Sequence, residues 1–350
     1  MTKLNIAVIG AGMIGDVHIN AVKADGRGEI TWIAARTAET LDRKISMHAI
    51  PHGTLDYREV LRDPAVDAVI IATPPHTHRE MALAALEAGK HVLLEKPMCV
   101  SPGEANEILG AVQMHPELTV LECSCRHARL QPKFRMVKRM IGEGMLGEVY
   151  HIHHNHLMRG TFIEYNPAGT WALEREKAGG GPFMDWGVYD LSFHLGLLDD
   201  RPELISLEAF TRGGLKVFKD PRLRQDVEEH GAAYMEFDSG LTYYYERGSG
   251  AHCEVANETR ICGTKGSLRF GFCTWDPPGV DFFSVDAAGN EKKETLTVDM
   301  ASHAGDNEEL TKHFLDCVLQ GVSPMMPVAL AAKHLAILFR ILDHSPRTRG

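Results

Sequence analysis

The chain has 350 residues, 44% of them hydrophobic, and at about 100–200 residues per domain it is long enough for two domains. Its net charge of −10 and the lack of any Lys/Arg run argue against a nucleic-acid or anionic-membrane surface. The seven cysteines are odd in number and scattered, no stretch approaches the ~20 apolar residues of a membrane span, and Met1 leads straight into a strand, so the expectation is a cytoplasmic protein with reduced thiols.

From residue 4 to about 122, short β-branched runs alternate with helical stretches, the pattern of βαβ units in a doubly wound parallel sheet. Strands are predicted over 4–9, 30–35, 68–72, 91–94 and 119–121. Between them, Asp56 with Glu59, Thr77 with Glu80 and Ser101 with Glu104 have capping-box spacing, Pro102 suits a first helical position, and Gly89 supplies a stop.

The first strand runs into Gly10-Ala11-Gly12-Met13-Ile14-Gly15, which then opens a helix. In that context the glycines read as a dinucleotide-binding loop: Gly10 for the tight turn, Gly12 for backbone approach to a pyrophosphate, Gly15 for close helix packing. The helix N-terminus would offer its N–H groups to the phosphates. The second strand ends Ala34-Ala35-Arg36-Thr37, with no acid for a ribose diol, and Arg36 is suited to a 2′-phosphate, so NADP is preferred over NAD. Glu95-Lys96-Pro97 follows the run Val92-Leu93-Leu94 and puts a cation at the carboxyl end of a strand, where open parallel sheets bind ligands.

After Arg126 the pattern changes to a helix over 132–141 and strands over 148–156, 204–211, 232–237, 241–246, 260–262 and 267–272, an α+β domain with a large, mainly antiparallel sheet. The expected domains are 1–124, 125–325 and a terminal helix within 326–344, with a disordered tail at 346–350. Within the second domain, Gly179-Gly180-Gly181-Pro182 leads towards a helix on which Asp185 and Tyr189, four apart, would share a face. A tyrosine can serve as the base of a hydride-transfer reaction only when a cation such as Lys96 stabilises its phenolate.

Taken together, Ile6–Gly12, Ala72-Thr73-Pro74-Pro75-His76-Thr77-His78, Glu95-Lys96-Pro97, Arg126 with Pro132, Gly144 to Gly147, Gly179 to Tyr189 and Gly263-Thr264-Lys265-Gly266-Ser267 resemble the glucose–fructose oxidoreductase / inositol dehydrogenase / rhizopine-catabolism (GFO/IDH/MocA) family. The resemblance implies a catalytic Lys96, cofactor contacts from Thr73, Pro74, His76, His78 and Glu95, and substrate contacts from Arg126, Trp171, Asp185 and Tyr189. The family's D-x-G-x-H-x-x-D motif reads here Asp185-Trp186-Gly187-Val188-Tyr189-Asp190-Leu191-Ser192, so Tyr189 replaces the histidine and Ser192 the second aspartate, as in a tyrosine-bearing branch.

The expected activity is NAD(P)-linked oxidation or reduction at a secondary alcohol or carbonyl of a sugar, sugar derivative or cyclitol, with a homodimer or homotetramer by analogy with relatives. Oxidation–elimination with a retained cofactor and a non-catalytic dinucleotide sensor are the alternatives. His151, His153, His154 and His156 alternate along a strand, at most two to a face, and read as polar pocket lining ahead of a metal site. Asp190 and His194 are further pocket-lining candidates, and the acidic run Asp226-Val227-Glu228-Glu229 reads as a solvated loop.

Overall fold

The computed structural model describes residues 3–215 and 222–344, so the tail expected to be disordered lies outside the described residues. By compactness the chain forms two units, one running to Arg126 and taking in Ala304–Lys333, the other comprising His127–His303 and the chain from His334. Residues 304–333, which the expected bounds divide between the second domain and the terminal helix, thus group with the first unit.

In the first unit β1 (Leu4–Ile9), β2 (Gly28–Ala34), β3 (His52–Thr54), β4 (Ala68–Ile71), β5 (His91–Leu94) and β6 (Val120–Glu122) form a parallel sheet in the order β3-β2-β1-β4-β5-β6. The strand order reverses beside β1, which leaves a crevice at the carboxyl ends of β1 and β4. Helices α1 (Met13–Asp25), α2 (Ala38–His48), α3 (Tyr57–Arg62), α4 (His78–Glu87) and α5 (Pro102–Met114) supply the crossovers. Burial between helices on both faces explains why β4 and β5 are near-continuous Val, Ile and Leu rather than alternating.

Two of the expected caps form: Asp56 accepts from the N–H of Arg58 at 3.1 Å and Ser101 from that of Glu104 at 3.3 Å. The third does not. A 3₁₀ turn, Pro75–Thr77, precedes α4, and the Thr77 hydroxyl donates to the Pro74 carbonyl at 2.8 Å instead, while Glu80 accepts from the Tyr57 hydroxyl. Gly89 adopts φ 71°, the left-handed stop expected after α4.

The second unit has α6 (Pro132–Gly142), β7 (Val149–Met158), α7 (Gly187–Leu197), β8 (Leu204–Arg212), β9 (His230–Phe237), β10 (Thr242–Ser249), β11 (Val255–Gly263), β12 (Gly266–Phe270), β13 (Gly279–Val285) and β14 (Glu291–Thr297). Its eight strands run β14-β13-β12-β11-β7-β10-β9-β8, with β7 and β10 parallel and the other pairs antiparallel. Phe134 and Val137 of α6 and Phe193 and Leu197 of α7 pack with Ile261, Leu268, Phe270 and Phe272 in a single core cluster. Losing one such fully buried phenylalanine to alanine costs about 3–5 kcal/mol. Every residue of α7 is buried, so its polar side chains must find partners inside the fold.

The acidic run corrects the expectation of a solvated loop, because Glu228 and Glu229 are buried. Glu228 accepts from the N–H groups of Gly181 and Phe183, capping the turn Pro182–Asp185 that follows the glycine run. Two longer helices, α8 (Asp306–Gln320) and α9 (Val328–His344), follow β14, and no helix among the described residues is long and apolar enough to cross a membrane.

Candidate functional site

The glycine loop lies between β1 and α1, and Gly10 and Gly15 each have a distinct steric reason. Gly10 adopts φ +115°, and a Cβ there would sit 2.4 Å from the Ala72 carbonyl oxygen. At Gly15 it would sit 2.2 Å from the Gly10 oxygen, so the close approach is to the loop itself. Nothing lies within 4 Å of a Cβ built on Gly12, and no side chain caps α1, whose first N–H groups are available to an anion. These residues fit a dinucleotide pyrophosphate. Met13 is exposed and Ile14 half-buried beside them. Arg36 is exposed two residues past β2, and His76 is exposed on the 3₁₀ turn.

Lys96 is half-buried at the carboxyl end of β5. Behind it, the Glu95 carboxylate is buried and accepts from His18 at 2.8 Å, from the Arg126 guanidinium, and from the Lys96 backbone N–H at 3.1 Å. Burial pushes that carboxyl up, but Arg126 and His18 outweigh it and hold Glu95 well below the usual carboxylate range. Both oxygens of Glu95 are engaged by the guanidinium of Arg126 in a buried ion pair. His18, Glu95 and Cys123 bring metal-ligand atoms within 4.8 Å of one another, but Arg126 already supplies the cation there.

His78 is fully buried and links the two strand-end loops. Its Nδ1 lies 2.9 Å from the Pro97 carbonyl and its Nε2 2.8 Å from the Thr73 carbonyl, and burial lowers its pKa against those bonds. Its ring is 0% exposed, with both nitrogens turned to the loops that carry Thr73 and Pro97. Glu122 ends β6, 0% exposed, with Oε2 accepting from the Ser124 N–H at 2.7 Å.

In the second unit, Tyr189 is on α7 and 1% exposed, edge-on to His127 at 4.9 Å and beside Trp186 at 5.3 Å. Asp185 does not share its helix. The turn Pro182–Asp185 ends at Trp186 and α7 starts anew at Gly187, where a Cβ would sit 2.7 Å from Leu338 and 3.0 Å from the Tyr245 hydroxyl. Trp171 is half-buried on a short 3₁₀ helix, edge-on to Phe162 at 5.6 Å.

Beneath α7 is a buried polar network of which the sequence reading held only parts. Asp190 accepts from Arg247 at 2.6 Å and from the Tyr245 hydroxyl at 2.7 Å, and all three are fully buried. Burial raises the Asp190 carboxyl, but Arg247 and His154 more than offset it and hold Asp190 well below the usual carboxylate range. His154 and His194 meet at the Thr259 hydroxyl, at 3.0 and 2.9 Å, and Tyr243 closes on His194 at 2.7 Å. Burial lowers the pKa of both histidines.

The Arg247 guanidinium also lies 5.3 Å over the Trp186 ring. Its nitrogens are 3.0 Å from His156 and 3.4 Å from His154, so a cation already occupies the inward histidine face. His151 and His153 take the other face, their rings 6.4 Å apart. Asp190 and His194 are thus framework groups with no exposed surface, and Arg247, Tyr245, Thr259, His18 and Glu122 were not singled out from sequence.

Residues 4–121 match the family described as an oxidoreductase family with an NAD-binding Rossmann fold, and residues 134–269 match the GFO/IDH/MocA C-terminal domain. The chain is 30% identical over 269 residues to the 1,5-anhydro-D-fructose reductase of Ensifer adhaerens, covering 75% of this chain and 74% of that one. It is 27% identical over 317 residues to the levoglucosan dehydrogenase of Pseudarthrobacter phenanthrenivorans, covering 82% and 78%. The structure of a levoglucosan dehydrogenase with NADH and levoglucosan superposes with a TM-score of 0.85 over 98% of this chain and 97% of that chain, at 22% identity. With a glycine loop fitted to a dinucleotide, a strand-end Glu95-Lys96-Pro97 and matches to both halves, the chain belongs to the GFO/IDH/MocA family of NAD(P)-dependent oxidoreductases.

Proposed function

We propose that the protein is an NADP-preferring dehydrogenase or reductase of a sugar, sugar derivative or cyclitol, working in the cytoplasm as a homodimer or homotetramer. The observation that carries this reading is the position of Lys96: a half-buried cation at the carboxyl end of β5, its backbone anchored by a carboxylate that His18 and Arg126 already satisfy. Relatives named for anhydro sugars support the substrate class.

Gly10, Gly12, Met13, Ile14 and Gly15 would hold the pyrophosphate, Arg36 the adenosine 2′-phosphate, and the segments bearing Thr73, Pro74, His76 and His78 the nicotinamide side. When bound, the nicotinamide supplies the hydride acceptor or donor. In the oxidative direction Lys96 and Tyr189 would handle the substrate hydroxyl proton, and Asp185 and Trp171 would orient the substrate. A phenol with an unperturbed pKa of about 10 needs a cation's help to act as a base near neutral pH, which is the service expected of Lys96.

A panel of sugars, anhydro sugars, cyclitols and dihydrodiols assayed with NAD and NADP tests the class. With the substrate so found, Lys96→Ala should reduce kcat by about 10²–10⁴-fold while dinucleotide Kd changes little. Undiminished turnover would remove Lys96 from the mechanism.

A further inference from the structure

We propose that Trp275 is a substrate-stacking platform whose indole takes the C–H face of a sugar or cyclitol ring beside Tyr189. Trp275 lies in the loop between β12 and β13 and is 59% exposed, although the backbone on both sides of it is fixed. The buried Lys133 of α6 donates to the Gly271 carbonyl, to that of Cys273 at 3.3 Å and to that of Pro277 at 3.2 Å. The Asp276 carboxylate accepts from the Cys273 N–H at 2.8 Å and from the Asn257 amide at 2.9 Å. Phe272 and Cys273 belong to the core cluster under α6 and α7. A large apolar side chain held out from so constrained a loop has its ordering cost already met, which is the condition that favours a bound ligand.

The indole is not a solitary exposed group. It meets His127 at 5.3 Å and Trp186 at 5.8 Å, both edge-on, and these two rings contact Tyr189 at 4.9 and 5.3 Å. His127 and Trp186 are half-buried, so exposure falls from Trp275 through them to Tyr189 at 1%. The Arg247 guanidinium, held by Asp190, lies over Trp186 and fixes the cluster from within. Trp186 packs against the helix-covered core, so Trp275 is on that side of the sheet and away from the face that carries His151 and His153. A protein partner on the outer face of the sheet would leave the indole uncovered. A ring polyol suits it: the hydroxyls project around the rim, while the C–H groups, made slightly positive by neighbouring oxygens, match the negative face of an aromatic ring.

The choice of a sugar or cyclitol rests on the dehydrogenase reading, and the test separates the two. Labelling the full-length protein with 5-fluorotryptophan gives one ¹⁹F resonance for each of its four tryptophans, and Trp275→Phe identifies the one from position 275. With NADP present, that resonance should shift saturably on titration with at least one of levoglucosan, glucose and myo-inositol. With a substrate from the panel, Trp275→Ala should raise KM about tenfold or more while kcat falls far less, and Trp275→Phe, which keeps an aromatic face, should recover most of the loss. A resonance that none of the three compounds moves, or a KM for Trp275→Ala within about twofold of the native value, overturns the proposal. The shift is read without turnover. A resonance that responds while no panel compound is oxidised or reduced therefore keeps the platform and rejects the dehydrogenase reading, and turnover indifferent to Trp275→Ala does the reverse.

Discussion

Replacing Asp190 by asparagine keeps the shape of the side chain and removes one charge from the network beneath α7. Asp190 and Arg247 are each 0% exposed and joined at 2.6 Å, so the substitution leaves a guanidinium in the interior without its counter-ion. Stranding one member of a buried pair costs about 3–5 kcal/mol. At ~2–4 °C per kcal/mol for a unit of this size, the melting transition should fall by roughly 6–20 °C.

Calorimetry or far-ultraviolet circular dichroism reads this directly. Asp190 is ionised in the fold well below its ordinary range, so its stabilisation is present above the unfolded carboxyl pKa and lost as pH falls through the folded one. The gap between the native protein and Asp190→Asn should therefore narrow on acidification. The double variant Asp190→Leu with Arg247→Met removes both charges and should recover most of the loss. A fall of under about 2 °C in Asp190→Asn, or a double variant as unstable as the single, would refute the assignment of a tightly coupled buried pair.

Gly15→Ala places a Cβ 2.2 Å from a backbone oxygen that cannot swing aside, so the loop must shift; dinucleotide Kd should weaken by about tenfold or more in fluorescence titration. Arg36→Ala should raise KM for NADP roughly tenfold or more with little change for NAD, the loss of one charge-assisted contact to a phosphate. The Glu122 pKa is raised in the fold from 4.5 to about 7, so the folded state binds the proton more tightly and stability falls as pH rises through that interval, by about 3 kcal/mol. Urea unfolding at pH 5 and pH 8 should show this loss in the native chain, and Glu122→Gln should lack it.

The parallel sheet was legible because each of its signals is local: β-branched runs, a capping residue, a glycine after a strand. Its misses have local causes too. His52–Thr54 is too short to show alternation, and Thr77 has the spacing of a cap but follows Pro75, whose ring starts a 3₁₀ turn two residues early. In the second unit β14 reads Glu-Lys-Lys-Glu-Thr-Leu-Thr, an edge strand whose charged side chains look like a loop until β13 is beside it. The same ambiguity, in reverse, hid Glu228: an acid in an acidic run reads as solvated, and only the orphan N–H groups of Gly181 and Phe183 explain its burial.

The site divides along the same line. Glycines with strand context and a lysine beyond a strand can be read from a dozen neighbouring residues, because the backbone that positions them is local. The groups that hold them in place come from far along the chain: His18 is 77 residues from Glu95, and Arg247 is 57 from Asp190. Neither partner carries a periodic or compositional mark, and a lone His18 on the buried side of α1 reads as core. What could have found them is the rule that a buried charge must be compensated. Asp190 and His194 fall on a helix so apolar that all of it is buried, and that alone required a cation and hydroxyls from the facing sheet. Arg247, Tyr243 and Tyr245 alternate inward on one strand and meet that demand. The requirement is readable from α7; the identity of the strand that satisfies it depends on the pairing of β7 with β10, a parallel contact across about ninety residues that no local pattern announces.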